Sequence, residues 1–194
     1  MTRRNPNPSD LPLFVWGDAR LQRDVERRRL HRRVGLVAVL ASAVTLSAAV
    51  PPLPRLVWNA SASAPIGLYF VTPGGRPRRG DIVIARVATA VRALAASRRY
   101  IPADVPLVKH VGGLVGDTVC AVGNTIIIDG KVVAIRRRVD AIGRVLPWWR
   151  GCRLLGPSDI FLLSGGVPAS FDGRYFGVSP RADIIGTARP LWTR

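Results

Sequence analysis

The chain reads as a mostly β domain carried on one N-terminal transmembrane helix, and three observations point there. A charge-free run, Val34–Pro54 (VGLVAVLASAVTLSAAVPPLP), follows a block of arginines. Beyond it, short β-branched stretches alternate with turn residues. The whole chain combines 48% hydrophobic residues with a formal net charge of +17 over 194 residues. A disordered basic tail would be far more polar. With 7% aromatic residues, a series of base-stacking platforms is not the design either, so no specific nucleic-acid partner is expected.

Residues 1–33 carry nine Arg against four acids and end in Arg27-Arg28-Arg29-Leu30-His31-Arg32-Arg33. Val34–Val50 is the helix-competent core of the run. Its length as a helix is about 25 Å, at the short end of what crosses a bilayer core of roughly 30 Å. Arg55 and Trp58 follow and suit the far interface. By the positive-inside rule, residues 1–33 form a cytoplasmic basic segment, 34–54 a transmembrane signal-anchor, and 55–194 an extracytoplasmic domain. The lipid bilayer is thus the first expected partner, at the cytoplasmic (inner) membrane. A buried globular helix is seldom flanked by an arginine block and Pro-Pro. A cleavable leader competes more seriously, because Ala60-Ser61-Ala62 resembles a cleavage site, but the segment before it is long for one.

Outside the anchor, Asp81–Val87 alternates and is rich in β-branched residues, as a strand should be. Ala88–Arg99 is alanine-rich and reads as a short helix. Thr125–Ala134 is the clearest local pattern: Asp129-Gly130 between β-branched runs marks a two-residue hairpin turn, since both positions tolerate positive φ. Leu107–Val111, Asp117–Val122, Ile160–Ser164 and Ile184–Ala188 read as further strands. Cys120 and Cys152 are a disulfide candidate in an oxidising compartment, with two buried free thiols as the alternative. Trp148-Trp149 suits either a membrane-contacting edge or core packing. The 20 basic and 8 acidic residues beyond the anchor leave +12, a charge suited to acidic partners, anionic headgroups or DNA.

Few residues outside the anchor bear chemistry. His110 is the one histidine there, and Lys109 and Lys131 are the two lysines of the chain. No His/Cys/Asp grouping has metal-ligand spacing, and no cofactor is implied. Lys131 follows a hairpin turn and is expected in water. In a strand, Leu107, Lys109 and Val111 share one face, with Val108 and His110 on the other. A lysine on a buried face has its pKa lowered by desolvation, which turns it into a usable general base; an edge-strand lysine reaching water is the plainer alternative. Ser61 and Ser63, two apart in an extended segment, would face the same side, although Ser and Ala before Pro also make an ordinary linker. Asn59-Ala60-Ser61 is a glycosylation sequon, a weak signal. His110 offers a rival Ser-His-Asp arrangement.

Taken in order, Ser61-Ala-Ser63-Ala-Pro65-Ile-Gly67-Leu-Tyr69, Arg79-Gly-Asp81, Val108-Lys109 running into Gly116-Asp117-Thr-Val119, and Ser170-Phe-Asp172-Gly-Arg174-Tyr-Phe-Gly177 resemble the ordered boxes of type I signal peptidases. The short Ser-x-Pro-x-Gly-x-Tyr box is similar to the branch serving conjugative transfer, the TraF-type peptidases that mature conjugative pilin. The resemblance implies a β-rich, signal-peptidase-like catalytic domain on the outer face of the membrane. It implies Ser63 as nucleophile and Lys109 as general base. It further implies Ser61 as an oxyanion-hole hydroxyl, Ser170 as the residue orienting the lysine, and Asp172 with Arg174 as supporting charges. The implied partner is a pilin precursor or other preprotein, and a conjugation or secretion apparatus. General removal of secretory signal peptides is the alternative activity, and an inactive membrane-anchored component of such an apparatus is the alternative of another class. Three positions depart from the family pattern: Ala64 for Met, Val115 for Pro, and Gly173 for Ser.

Overall fold

The computed structural model describes residues 13–49 and 55–194. The first unit is one helix, α1 (Leu13–Ala49), which does not break at the arginine block but continues through it into the apolar run. Within it, Val25–Ser47 is long and apolar enough to cross a membrane. The first residues of the expected cytoplasmic segment (1–12) and the end of the expected anchor (50–54) lie outside the described residues.

Among the described residues the second unit holds eleven strands: β1 (Leu56–Asn59), β2 (Gly67–Pro73), β3 (Ile82–Ala85), β4 (Leu107–Gly113), β5 (Thr118–Val122), β6 (Thr125–Ile128), β7 (Lys131–Ile135), β8 (Gly151–Leu154), β9 (Asp159–Leu163), β10 (Ser179–Pro180) and β11 (Ile184–Thr193). Helix α2 (Thr89–Ser97) follows β3, and the single turn α3 (Gly173–Phe176) follows β9. One sheet runs β1-β2-β11-β3-β4-β9-β10 and a smaller one β7-β6-β5-β8. The fold class is therefore mostly β, as expected. The sequence reading missed β1, β2, β8 and the two-residue β10.

The large sheet is buried on both faces. Val83, Ala85, Leu107 and Val111 pack beneath α2 with Phe171 and Tyr175, while Ile84 and Val108 face Ala64 and Val71. β9 bridges to the small sheet by directing Phe161 and Leu163 at Val119, Ile126 and Ile128. The Asp129-Gly130 turn has positive φ at both positions, 49° and 78°, and closes the β6–β7 hairpin where expected. Cys120 and Cys152 lie directly opposite on β5 and β8 and form a disulfide. The two adjacent tryptophans resolve toward packing. Trp149 sits edge-on to Phe161 and donates from Nε1 to the Gly173 carbonyl at 3.0 Å. Trp148 lies under the Arg136 guanidinium, 3.6 Å from the ring centre. The stacked aromatic pair that faces solvent is instead Trp58 with Trp192.

Candidate active site

Three stretches of chain meet at one cleft of about 920 Å³ whose lining includes Ser61, Ser63, Lys109 and Ser170. The first stretch is the loop between β1 and β2, closed at its base by the pairing of Asn59 with Gly67. It is a turn and not the extended segment expected from sequence. The turn still brings Ser61 Oγ within 2.7 Å of Ser63 Oγ, and Ser63 Oγ donates to the Val108 carbonyl at 3.2 Å. Ser63 is buried, and its main-chain N–H makes no hydrogen bond with the described residues.

Two groups that the sequence reading did not single out for this purpose shape the loop. Asn59, 3% exposed, donates from Nδ2 to the carbonyls of Ser61, Ala64 and Pro65, and its Oδ1 accepts from the Ser61 N–H and hydroxyl. With that amide consumed inside the loop, the sequon is a packing device and no acceptor for a glycan. Tyr69 donates its hydroxyl to the Pro65 carbonyl at 2.7 Å, with burial raising its pKa. Gly67 has φ +154°, and a Cβ there would collide with the Trp192 carbonyl of β11. The Pro-x-Gly-x-Tyr spacing thus serves one bend, one close crossing and one hydrogen bond.

The second stretch is β4. Lys109 is 3% exposed and on the Leu107–Val111 side, so the expected buried face is the observed one. Burial lowers its pKa from 10.5 to about 8, with Asp172 pulling the value up and Arg174 pushing it down. Its Nζ donates to Ser170 Oγ at 2.6 Å. His110, on the opposite side and half-buried, has its pKa lowered first by burial and then by the charge of Lys109. The opposite side of β4 also borders the serine: His110 and Ser63 both line a second depression of about 600 Å³. The lysine is distinguished by its hydrogen bond to Ser170 and its place in the cleft with Ser61.

The third stretch runs from β9 into α3. Asp172 caps α3 by accepting from the Arg174 N–H at 3.1 Å and also accepts from the Ser164 N–H at 2.9 Å. Arg174 returns Nε to Asp172 Oδ1 at 2.8 Å and an Nη to Oδ2 at 3.1 Å. Both side chains are buried, at 1% and 0% exposure, and a further Arg174 bond reaches the Ser164 carbonyl at 2.7 Å. This pair fixes the turn that presents Ser170 to the lysine. Gly173 stands here because a Cβ would come within 2.7 Å of both the Phe161 ring and the Leu162 carbonyl. Ala64 fills its place against Val71, Ile84 and Val108, and Val115 is solvent-exposed. The remaining box is tied together as well: Arg79 bridges Asp117 at 2.5 Å and donates to the Gly112 carbonyl at 3.0 Å.

All six predicted active-site residues thus lie in or directly behind this cleft, while Cys120 and Cys152 belong to the small sheet. Chemically, the cleft brings serine hydroxyls and a desolvated amine together, and the Ser63 N–H has no hydrogen-bond partner among the described residues.

The family model described as "Signal peptidase, peptidase S26" matches residues 28–192. The plasmid transfer protein TraF of Escherichia coli is 29% identical over 174 residues, covering 85% of this chain and 98% of that protein. The conjugal transfer protein TraF of Agrobacterium tumefaciens (strain 15955) is 34% identical over 177 residues, with 84% and 97% covered. A solved signal peptidase I from Enterococcus faecalis V583 aligns with 58% of this chain and 97% of its own, at 22% identity and a TM-score of 0.34. With the family match spanning the end of α1 and nearly all of the second unit, the chain belongs to the peptidase S26 family of signal peptidases.

Proposed function

We propose that the chain is a serine endopeptidase with a Ser63–Lys109 dyad, anchored by its N-terminal helix, that matures a conjugative pilin precursor on the outer face of the cytoplasmic membrane. In this reading residues 1–33 are cytoplasmic, 34–54 span the bilayer and 55–194 work outside. The observation that carries it is the buried Lys109: its pKa of about 8 leaves a neutral fraction near neutral pH, and Ser170 holds it in the same cleft as Ser63. The transfer-protein names of the relatives support a substrate belonging to a conjugation system.

The chemistry follows from the geometry. Neutral Lys109 Nζ takes the Ser63 hydroxyl proton as Oγ attacks the scissile carbonyl. The oxyanion that forms is met by the free Ser63 N–H and by the Ser61 hydroxyl, which turns from its resting partners. Collapse breaks the C–N bond, Lys109 hands its proton to the leaving amine, and an acyl-enzyme ester remains on Ser63. Lys109 then takes a proton from water, which attacks the ester, and Ser63 is regenerated. Where an amine of the substrate attacks in place of water, the product is cyclic and has one water fewer than the hydrolysed chain.

Co-expression with the pilin precursor of the same conjugation system, read by mass spectrometry of the pilin, tests this. Processing is expected with the parent chain and abolished by Ser63→Ala or Lys109→Ala while the protein stays folded and membrane-bound. Lys109→Arg is expected to fail too, because arginine stays protonated at working pH. Normal processing by both alanine variants would overturn the dyad. An untouched pilin alongside cleaved secretory precursors would make this a general signal peptidase.

A further inference from the structure

We infer that Asn59 is a positioning residue for the oxyanion-binding side of the site. The inference rests on the serine-peptidase reading above and assigns a role to a residue that reading leaves unused.

The β1–β2 loop contains polar main-chain groups that must point somewhere, and the Asn59 side chain decides where. Its single amide nitrogen gathers the carbonyls of Ser61, Ala64 and Pro65 at 2.9, 3.0 and 3.1 Å. All three carbonyl oxygens are thereby turned toward Asn59, inside the loop. The N–H of Ser63, between them in sequence, is left without an acceptor among the described residues. An unpaired main-chain N–H beside a nucleophile is what a developing oxyanion requires. A carbonyl in that place would repel it.

The other end of the same side chain sets the second donor. Asn59 Oδ1 accepts from the Ser61 N–H at 3.1 Å and from the Ser61 hydroxyl at 3.0 Å. Ser61 Oγ in turn lies 2.7 Å from Ser63 Oγ. Asn59 thus leaves the Ser63 N–H unbonded among the described residues and holds the Ser61 hydroxyl beside Ser63, from where it turns toward the oxyanion. The place of Asn59 in the sheet is rigid: it is the last residue of β1, paired with Gly67, and 3% exposed. Asn59 is among the residues lining the cleft, but its side-chain donors and acceptor are committed to five hydrogen bonds inside the loop, so it acts through the loop and not on substrate.

Asparagine is the side chain this task demands. Aspartate keeps an acceptor for Ser61 but offers carboxylate oxygens to three carbonyls in place of N–H donors. Alanine removes both ends. Preorganised donors act chiefly on the transition state, so their misalignment is expected in kcat with KM little changed.

The test uses the full-length protein purified in detergent micelles and an internally quenched peptide with Ala-Xaa-Ala before the scissile bond. Steady-state kcat and KM are measured for Asn59→Asp and Asn59→Ala, at a temperature well below each variant's unfolding midpoint. A fall in kcat of about 10²-fold with near-parental KM is expected, in line with loss of an oxyanion donor. The same substitutions in a Ser61→Ala background are expected to cost clearly less, because one of the two donors they misplace is already gone. The midpoint of the pH–rate profile should stay at the parental value, since Asn59 does not contact the lysine. Unchanged kcat in a folded Asn59→Asp protein overturns the inference. So does a loss that is fully additive with Ser61→Ala, or one that tracks only the fraction of folded protein. A parent chain that leaves the peptide intact, or Ser63→Ala protein that still cleaves it, instead overturns the peptidase reading on which the inference stands.

Discussion

Removing Lys109, the proposed general base, should make the protein more stable, and the size of the gain should depend on pH. Lys109 has an ordinary pKa of 10.5 in the unfolded chain and about 8 in the folded one. Between those values the unfolded state binds more protons than the folded state, so stability rises with pH across about 8 to 10.5. Below about pH 8 both states are protonated, and the folded state carries the whole cost of a buried cation. At about 1.36 kcal/mol per pH unit, that cost is about 3 kcal/mol. Lys109→Met keeps the volume and removes the charge. It also strips Ser170 of a hydrogen bond, which returns about 1 kcal/mol to the cost side. A net gain of about 2 kcal/mol at pH 7 is expected, or about 5–10 °C in the unfolding midpoint. At pH 10 the gain should largely vanish, because the parent lysine is then neutral when folded. Thermal unfolding of the full chain in detergent at pH 7, 8, 9 and 10, parent beside variant, reads this directly. His110 is coupled to Lys109, but burial holds its pKa below 6.5, so across pH 7 to 10 the difference between the two proteins reads chiefly Lys109. A gain that is equal at pH 7 and pH 10, or a loss at pH 7, would refute a desolvated lysine. The parent's kcat/KM should in turn climb about tenfold per pH unit toward about 8 and then flatten.

Asp172→Asn leaves the Arg174 guanidinium, 1% exposed, without its anion and should lower stability by about 3–5 kcal/mol in urea unfolding. The same change should move the rising limb of the pH–rate profile to lower pH, because Asp172 holds the lysine pKa up and Arg174 holds it down; a shift to higher pH would contradict that electrostatic arrangement. Cys120→Ser opens a link spanning 32 residues and should cost about 3–4 kcal/mol in the chain-entropy picture, with activity at 25 °C retained by the folded fraction. Loss of activity in a protein shown to be folded would tie the small sheet to the cleft.

What could be read from sequence was what local chemistry dictates. The Asp129-Gly130 turn fixes its hairpin through φ alone, and the β-branched run around Lys109 gives its face by alternation. Cys120 and Cys152 could be paired from compartment logic because nothing else in the chain competes for them. β1 and β2 were not legible, since β1 is four residues long and β2 finds its second partner in β11, more than a hundred residues on. β8 is exposed at every position, so it has no alternation to detect. The Ser61–Ser63 proximity came out through a turn and not through an extended strand, because the packing of Asn59 inside the loop overrides what period-two spacing suggests. Asn59 itself was visible only as part of a sequon. A signal was present nonetheless: an asparagine at the end of a strand, two residues before a serine, is the side chain that bonds its own backbone two positions on.

The site places its strongest polar partnerships one layer behind the reacting atoms. Asn59 and the Asp172–Arg174 pair are buried and multiply hydrogen-bonded, while among the described residues Lys109 Nζ is held by one neutral hydroxyl and the Ser63 N–H by none. This division has a physical reason. A carboxylate in direct contact with Lys109 would repay its desolvation and restore its pKa toward the ordinary value, ending its use as a base near neutral pH. A neutral serine orients the amine without that penalty. An acceptor satisfying the Ser63 N–H would compete in the same way with the oxyanion. On the proposed mechanism the cleft has to remain under-satisfied, and the surrounding loops have to be fixed by other means. Two polar anchors supply that rigidity, Asn59 in front of β2 and the Asp172–Arg174 pair at the cap of α3. The Gly173 backbone, pressed against Phe161 and the Leu162 carbonyl, joins the second anchor to the core between the two sheets.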